Sequence, residues 1–349
     1  MIRHAVLLVG GQGTRLLPLT TATPKALIPL AGEPFVELQL ANLVEVGVSD
    51  VWLTVGTEHL HVWESYLAQR QGPPQLHLAV EQSPLDTAGG VRAILDELDD
   101  RFLILNGDVI FDVPLGSFLS AAPAGGVVLG LARVADPSAY GVVVTTSEGS
   151  VERFVEKPPA GSAPADTVNA GIYLAERRLL ESFERGPLSF ERKVFPDLVA
   201  AGELWGVTIE GEWLDIGTAG LYLDAHERLL TGKAGSAPAG SPHLAMAGAQ
   251  IDGEQRGSWS MIGPGAVVEE GAVVQEAVIL DGAVIRSGAR VSASIVGWDS
   301  HVGERAVISG QTIVGRAARI GPGCRLTDGA RVLEGAVLES GAIAAGPTP

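Results

Sequence analysis

The chain has 349 residues, 46% of them hydrophobic and 19% charged, and a formal net charge of −17. A surface this acidic repels nucleic acid and anionic membranes, so neither is an expected partner. The single cysteine, Cys324, excludes an intrachain disulfide and a cysteine-rich metal site, and suits a reducing compartment.

The length is enough for about two domains. No apolar run approaches the ~20 residues that span a bilayer. The strand-like run Ala5–Val9 is too short for a signal-peptide core. The expected location is therefore the cytoplasm.

Arg3–Val9 predicts a strand and Pro34–Val46 a helix that stops at Gly47. Val51–Val55, Gln75–Val80 and Phe102–Leu105 predict further strands. Thr87–Leu98 predicts a helix that Thr87 can cap. Strands separated by helices imply βαβ units and a Rossmann-like α/β domain with a mostly parallel sheet. Such sheets bind ligands beyond the carboxyl ends of their strands.

This first domain is expected over residues 1–230. Residues 231–246 are rich in small residues and proline and read as a linker. From 247 to 349 aliphatic residues recur every six positions, with two steps of five. They run Ile262, Val268, Val274, Ile279, Ile285, Val291, Val296, Val302, Ile308, Val314, Ile320, Leu326, Val332 and Leu338. A sustained six-residue period marks a parallel β-helix of the left-handed hexapeptide type, here of about five coils. Its terminal edges need covering, which makes a homo-oligomer assembled through this domain the expected state.

The first strand runs into Val9-Gly10-Gly11-Gln12-Gly13-Thr14-Arg15-Leu16. It lacks the Gly-Lys-Ser/Thr of a Walker A loop and the third glycine of a dinucleotide fingerprint. It is still a phosphate-cradling turn: glycines let backbone N–H groups approach phosphate oxygens, and Arg15 adds a forked cation. Pro24-Lys25 places a second cation ten residues on. Only four lysines occur, Lys25, Lys157, Lys193 and Lys233, and the first two fall in motifs. The seven histidines show no metal-ligand spacing.

The segment GGQGTRLLPLTTATPKALIPL resembles the signature of the sugar-phosphate nucleotidyltransferases. Further motifs follow in that family's order: Leu85-Asp86-Thr87-Ala88-Gly89, Asn106-Gly107-Asp108, Tyr140-Gly141-Val142-Val143, Phe154-Val155-Glu156-Lys157-Pro158, Asn169-Ala170-Gly171-Ile172-Tyr173, Glu191-Arg192-Lys193-Val194-Phe195-Pro196 and Trp213-Leu214-Asp215-Ile216-Gly217-Thr218. The hexapeptide tail is similar to that of the branch using GTP and mannose 1-phosphate.

The resemblance implies attack of a sugar 1-phosphate on the α-phosphorus of a nucleoside triphosphate. It assigns catalysis to Arg15, Lys25 and Lys157. It places the nucleotide on Val9, Gly10, Gly11, Gly13, Thr14 and Arg15, on Glu81, Asp86, Thr87 and Ala88, and on Asn106 and Gly107. Gly141, Glu156, Lys157 and Asn169 would face the sugar phosphate. Asp108 and Asp215 would hold Mg²⁺, a hard ion suited to carboxylate and phosphate oxygens.

Asp86 departs from the family pattern, which has glycine there. Two readings stand. Asp86, with Glu81, accepts the two adjacent donors on guanine's edge; or it caps the helix near Thr87 and Glu81 alone reads the base. Three alternatives to the lead function remain: the same reaction with a heptose, glucose or cyclitol phosphate or with ATP, dTTP or UTP; a second acyltransferase activity in the β-helix; and a non-catalytic regulatory homologue. Only His301 lies within the repeats to serve an acyltransferase, and the charged set of the transferase is complete.

Overall fold

The computed structural model describes residues 2–112, 114–233 and 242–346. The chain divides into two compact units: Met1–Gly11 with Val36–Trp213, and Gln12–Phe35 with Leu214–Pro349. Residues 234–241 of the expected linker lie outside the described residues. His243–Ala245, also read as linker, is the first strand of the β-helix, because it pairs in parallel with Ser260–Ile262. Among the described residues no helix is long and apolar enough to cross a membrane.

In the first unit, β1 (His4–Leu8), β2 (Asp50–Gly56), β3 (Gln75–Glu81) and β4 (Arg101–Asn106) lie parallel in the order β4-β1-β2-β3. Helices α1 (Phe35–Glu45), α2 (Leu60–Gln69) and α3 (Asp86–Ala93) connect them. The inner strands carry uninterrupted apolar runs, as strands covered on both faces do. Ala5–Leu7 and Phe102–Leu105 are fully buried.

The same sheet continues with mainly antiparallel pairs, so it is mixed rather than mostly parallel. It adds β5 (Val127–Arg133), β6 (Gly141–Thr145), β7 (Val151–Glu156), β8 (Thr167–Glu176) and β9 (Leu204–Thr208). Strand β8 runs antiparallel to β4, β5 and β6, and β7 runs antiparallel to β6. Of these added strands β9 alone pairs in parallel, with β5. No helix lies between Val127 and Glu176. Without a crossover element, successive strands join antiparallel.

The helix expected over Thr87–Leu98 ends at Ala93, and a 3₁₀ turn, Leu95–Glu97, follows. Thr87 does not cap it. Its hydroxyl instead donates to Glu191 Oε2 at 2.8 Å.

The second unit contains three parallel sheets of six strands, the arrangement of a left-handed β-helix, which gives six coils rather than five. The hexad aliphatics from Ile262 to Val332 form one buried interior column, with Leu338 partly buried at its end. The two five-residue steps pass through Glu276 and Ala293, which take left-handed backbone at φ 49° and 41°. One residue fewer is left to turn each of these corners. Cys324 fills the position that Ala272, Ala289 and Ala306 fill in the preceding coils. It is fully buried, and its S–H donates to Glu339 O at 3.0 Å.

One sheet of the β-helix is apolar on both sides. Met261, Val278, Ile295 and Ile313 neighbour interior residues along their strands and therefore point outward, yet none is exposed. The helix α4 (Ala219–Leu230) reaches this region. His226 stacks on Trp259 with ring centroids 5.8 Å apart. A Cβ at Gly220 would lie 3.0 Å from the Gln311 amide.

Candidate active site

The residues singled out by the sequence fall into two constellations, one in each unit. In the second unit Gly13 sits at φ 60°, a region open chiefly to glycine. A Cβ there would meet Thr20 Cγ2 at 2.8 Å and Lys25 Cβ at 3.2 Å, so Lys25 packs directly on this turn. The Thr20 hydroxyl donates to Gly13 O at 3.0 Å and closes the loop. Thr14–Leu16 and Lys25–Leu27 are each one 3₁₀ turn. Arg15 is exposed, whereas Lys25 keeps only 9% of its surface.

Gly217 brings Arg15 and Asp215 together. A Cβ on Gly217 would lie 2.6 Å from Arg15 Nη2 and 2.8 Å from Asp215 Oδ1. The Gly217 N–H donates to that carboxylate oxygen at 2.6 Å. Arginine fork, carboxylate and backbone N–H thus share one bare stretch of main chain. Thr23 of the same loop accepts from Arg316 Nη2 at 3.5 Å, and the Arg316 guanidinium lies 4.5 Å over the Trp298 ring.

In the first unit the residues collect at the carboxyl ends of β1, β3 and β4. Gly107 donates to Leu8 O at 2.9 Å, and a Cβ on it would meet Val9 Cγ1 at 2.5 Å. The two chain segments touch there as bare backbone. The carbonyls of Asn106 and Val109 both accept from buried Gln39 Nε2, at 2.7 and 2.9 Å, which fixes the turn that carries Asp108.

Asn106 also reaches across to β8. The Tyr173 hydroxyl donates to Asn106 Oδ1 at 3.3 Å and accepts from Asn169 Nδ2 at 3.0 Å. Asn169 Oδ1 takes the Gly171 N–H at 3.0 Å. Gly171 sits at φ 74°, with Asn106 Nδ2 2.8 Å from where its Cβ would be. Burial holds the Tyr173 hydroxyl protonated far above the usual range. It therefore stays a donor at every working pH.

Gly141 and Glu156 are register partners on β6 and β7. A Cβ on Gly141 would lie 3.0 Å from Glu156 Oε2. Lys157 has left-handed backbone at φ 45° and ion-pairs Glu156 at 2.9 Å. Trp213 Nε1 donates to Ala170 O at 3.0 Å, and the ring packs edge-on to Tyr140.

The loop after β3 is held from within. Glu81 Oε2 accepts from Leu85 N–H at 3.1 Å, and its other oxygen packs on Gly90. Burial, and after it the charge of Asp86, push the Glu81 carboxyl up from its ordinary value, against the lowering effect of the Leu85 N–H. Asp86 gives one oxygen to Thr87 N–H at 2.8 Å and the other to Arg192.

Tyr173, Glu191, Arg192 and Gly217 stand inside the sequence motifs, but the sequence alone assigns them no role. A tyrosine in a strand signals packing, and its hydroxyl partners lie 67 and 4 residues away. Gln39 lies outside every motif, and α1 also carries Glu37, Asn42 and Glu45, so nothing in the sequence marks it.

The fold is a mixed α/β sheet with a glycine turn beyond β1, followed in the chain by a hexapeptide β-helix. Residues 4–232 match the family model described as Nucleotidyl transferase, and residues 244–333 match the GMPPB C-terminal domain. The chain belongs to the nucleotidyl transferase family.

It is 37% identical over 221 residues to a mannose-1-phosphate guanyltransferase of Hypocrea jecorina, a match covering 61% of this chain and 60% of that protein. It is 36% identical over 250 residues to mannose-1-phosphate guanylyltransferase 1 of Arabidopsis thaliana, covering 67% and 68%. The chain thus spans three fifths to about two thirds of the length of these relatives. The crystal structure of HddC from Yersinia pseudotuberculosis complexed with GMP-PN is similar in fold. Its TM-score is 0.57 at 23% identity, over 64% of this chain and 98% of that one.

Proposed function

We propose that this protein transfers a nucleoside monophosphate from a nucleoside triphosphate to a sugar 1-phosphate, with GTP and mannose 1-phosphate as substrates. The observation that carries the reading is the shared bed at Gly217, where Arg15 and Asp215 meet on bare backbone. It supports a phosphate grip beside a carboxylate. The names of the relatives support the choice of substrates.

In the reaction a phosphate oxygen of the sugar 1-phosphate attacks the α-phosphorus in line. The bond to the β-phosphate oxygen breaks, and pyrophosphate leaves with its electron pair. Positioning and charge stabilisation do most of the work in such transfers. Arg15 holds the triphosphate and meets the charge growing on pyrophosphate. Lys25, poorly hydrated because it is buried, spans the reacting phosphates, and Lys157 holds the sugar phosphate. Glu156, Asn169 and the backbone of Gly141 take sugar hydroxyls. Glu81 is the carboxylate assigned to the base.

Asp108 and Asp215 are oxygen donors of the kind Mg²⁺ takes, one or two carboxylates with water and phosphate oxygens completing the shell. A bound Mg²⁺ would neutralise phosphate charge. We further place the protein in the cytoplasm as a homo-oligomer assembled through the β-helix, whose last coil exposes Leu333, Val337 and Ile343.

The test is pyrophosphate release in Mg²⁺ buffer, with four or five triphosphates each paired with a panel of sugar 1-phosphates. GTP with mannose 1-phosphate should give the highest kcat/KM. Preference for ATP, UTP or dTTP would overturn the guanylyl assignment, and no release with any pair would overturn the transferase reading.

A further inference from the structure

The loop between β3 and α3 carries a carboxylate where its backbone asks for glycine. Asp86 has φ 62°, in the left-handed region that side chains disfavour. Its carboxylate points toward the segment that holds the loop. Leu188 O accepts the N–H groups of Ala88 and Gly89 at 2.8 and 3.0 Å, and Leu188 N–H donates to Leu85 O at 2.9 Å. Phe190 N–H donates to Thr87 Oγ1 at 3.0 Å, and Glu191 Oε2 accepts from Thr87 and from Ser189 at 2.8 and 3.0 Å. Arg192 completes the set with its ion pair to Asp86. Residues 188–192 thereby bond every residue from Leu85 to Gly89. The stretch Phe190–Val194 is a π-helix, a local widening of the helical turn common at functional positions.

Two carboxylates, Glu81 and Asp86, flank this loop, in a region proposed to receive the base of a nucleotide that carries several negative charges. Bare, both repel it. Arg192 is 72% exposed at its side chain, so its pair with Asp86 adds little to folding. Its effect on an anion close by is larger in proportion, because it removes a whole charge from the loop.

We infer that Arg192 is a positioning residue for the nucleotide: it holds the Asp86 carboxylate against the 188–192 segment and neutralises it, so that the loop accepts an anionic nucleotide. The inference rests on the nucleotidyltransferase reading. It gives Asp86 a role opposite to base recognition, since a carboxylate locked to Thr87 N–H and Arg192 has both oxygens committed.

The test is GTP affinity by calorimetry, which does not depend on turnover, together with KM and kcat. Arg192→Ala should weaken GTP binding roughly threefold to tenfold, the effect of one unmasked charge at the edge of a hydrated site. The loss should fall on Kd and KM, leave kcat and the melting temperature nearly unchanged, and shrink as salt is raised. Arg192→Lys should retain most of the affinity. Asp86→Gly combined with Arg192→Ala should recover it, because the charge that needed masking is gone.

Unchanged affinity in Arg192→Ala overturns the inference. So does a double variant as weak as Arg192→Ala or weaker, the result expected if Asp86 contacts the base. Wild-type protein that binds no triphosphate overturns both readings. Binding without pyrophosphate release overturns the reaction alone and leaves the affinity ratios to decide the role of Arg192.

Discussion

Around Arg15 and Asp215 geometry is kept by missing side chains. Gly13 and Gly217 let a lysine stem, a guanidinium and a carboxylate settle against main chain at distances no Cβ would allow. Around Asn106 and Asn169 it is kept by side chains that hold one another, through the Tyr173 hydroxyl, Gln39 and the contacts of Glu191 with Thr87. The first arrangement depends on space that only glycine leaves. The second is a largely buried set in which each member depends on a partner. The phosphates of any nucleotide are alike, whereas base and sugar vary, and a set of polar side chains can be matched to the variable part.

The contrast can be broken from either side. Arg15→Ala and Lys25→Ala each remove a cation that meets developing charge, and kcat should fall by ~10²–10³. Gly217→Ala adds only a methyl group, yet it should lower kcat by about tenfold to a hundredfold by displacing Arg15. In an Arg15→Ala background the same methyl should cost less, because only its 2.8 Å approach to Asp215 Oδ1 remains. A full additional loss there would show that Gly217 acts through Asp215 rather than Arg15.

Tyr173→Phe probes the network. It leaves the Asn106 and Asn169 amides short of a partner, a change of about 1–3 kcal/mol for a buried group. The expected readout is a KM for sugar 1-phosphate raised about tenfold with kcat nearly kept. A fall in kcat with KM unmoved would place the network on the reacting atoms.

The smallest effect on turnover comes from pH. His226 is fully buried, and burial lowers its pKa to about 4, against the raising effect of its bond to Tyr222 O. Its folded value lies below its ordinary one, so the unfolded chain binds more protons. Its contribution is therefore present above about pH 6.5 and lost as pH falls toward 4, about 3 kcal/mol over that window. Denaturant unfolding from pH 7 to 5 should show this slope in the wild type and lose it in His226→Phe, which keeps a ring against Trp259. An unchanged slope would remove His226 as the cause.

Much of this was legible in the sequence. The hexad aliphatics and the strands of the parallel half follow from periodicity, because burial on one side repeats along the chain. The antiparallel half was less legible, since no pattern in Val127–Glu176 says which neighbour a strand will choose. Arg15, Lys25 and Asp108 stand out through glycine and turn neighbours. Tyr173 and Gly217 do not, because their roles depend on partners distant in the chain or on space that a sequence does not display. Asp86 shows the limit most clearly. Its charge leaves a guanine contact and a helix cap both open, and the fold adds its φ and its ion pair with Arg192, which no sequence pattern displays.

Cys324 is the only thiol in the chain, and it lies in the interior of the fifth coil beneath Glu339 of the last. Reagents reach such a sulfur only while the turns above it are apart. Coil stacks fray from their ends, each rung contacting only its neighbours. The rate of alkylation is thus a clock for one defined rung, running in the intact protein without any added label. Comparing its pace with that of global unfolding would tell how far the tail opens by itself, and how often.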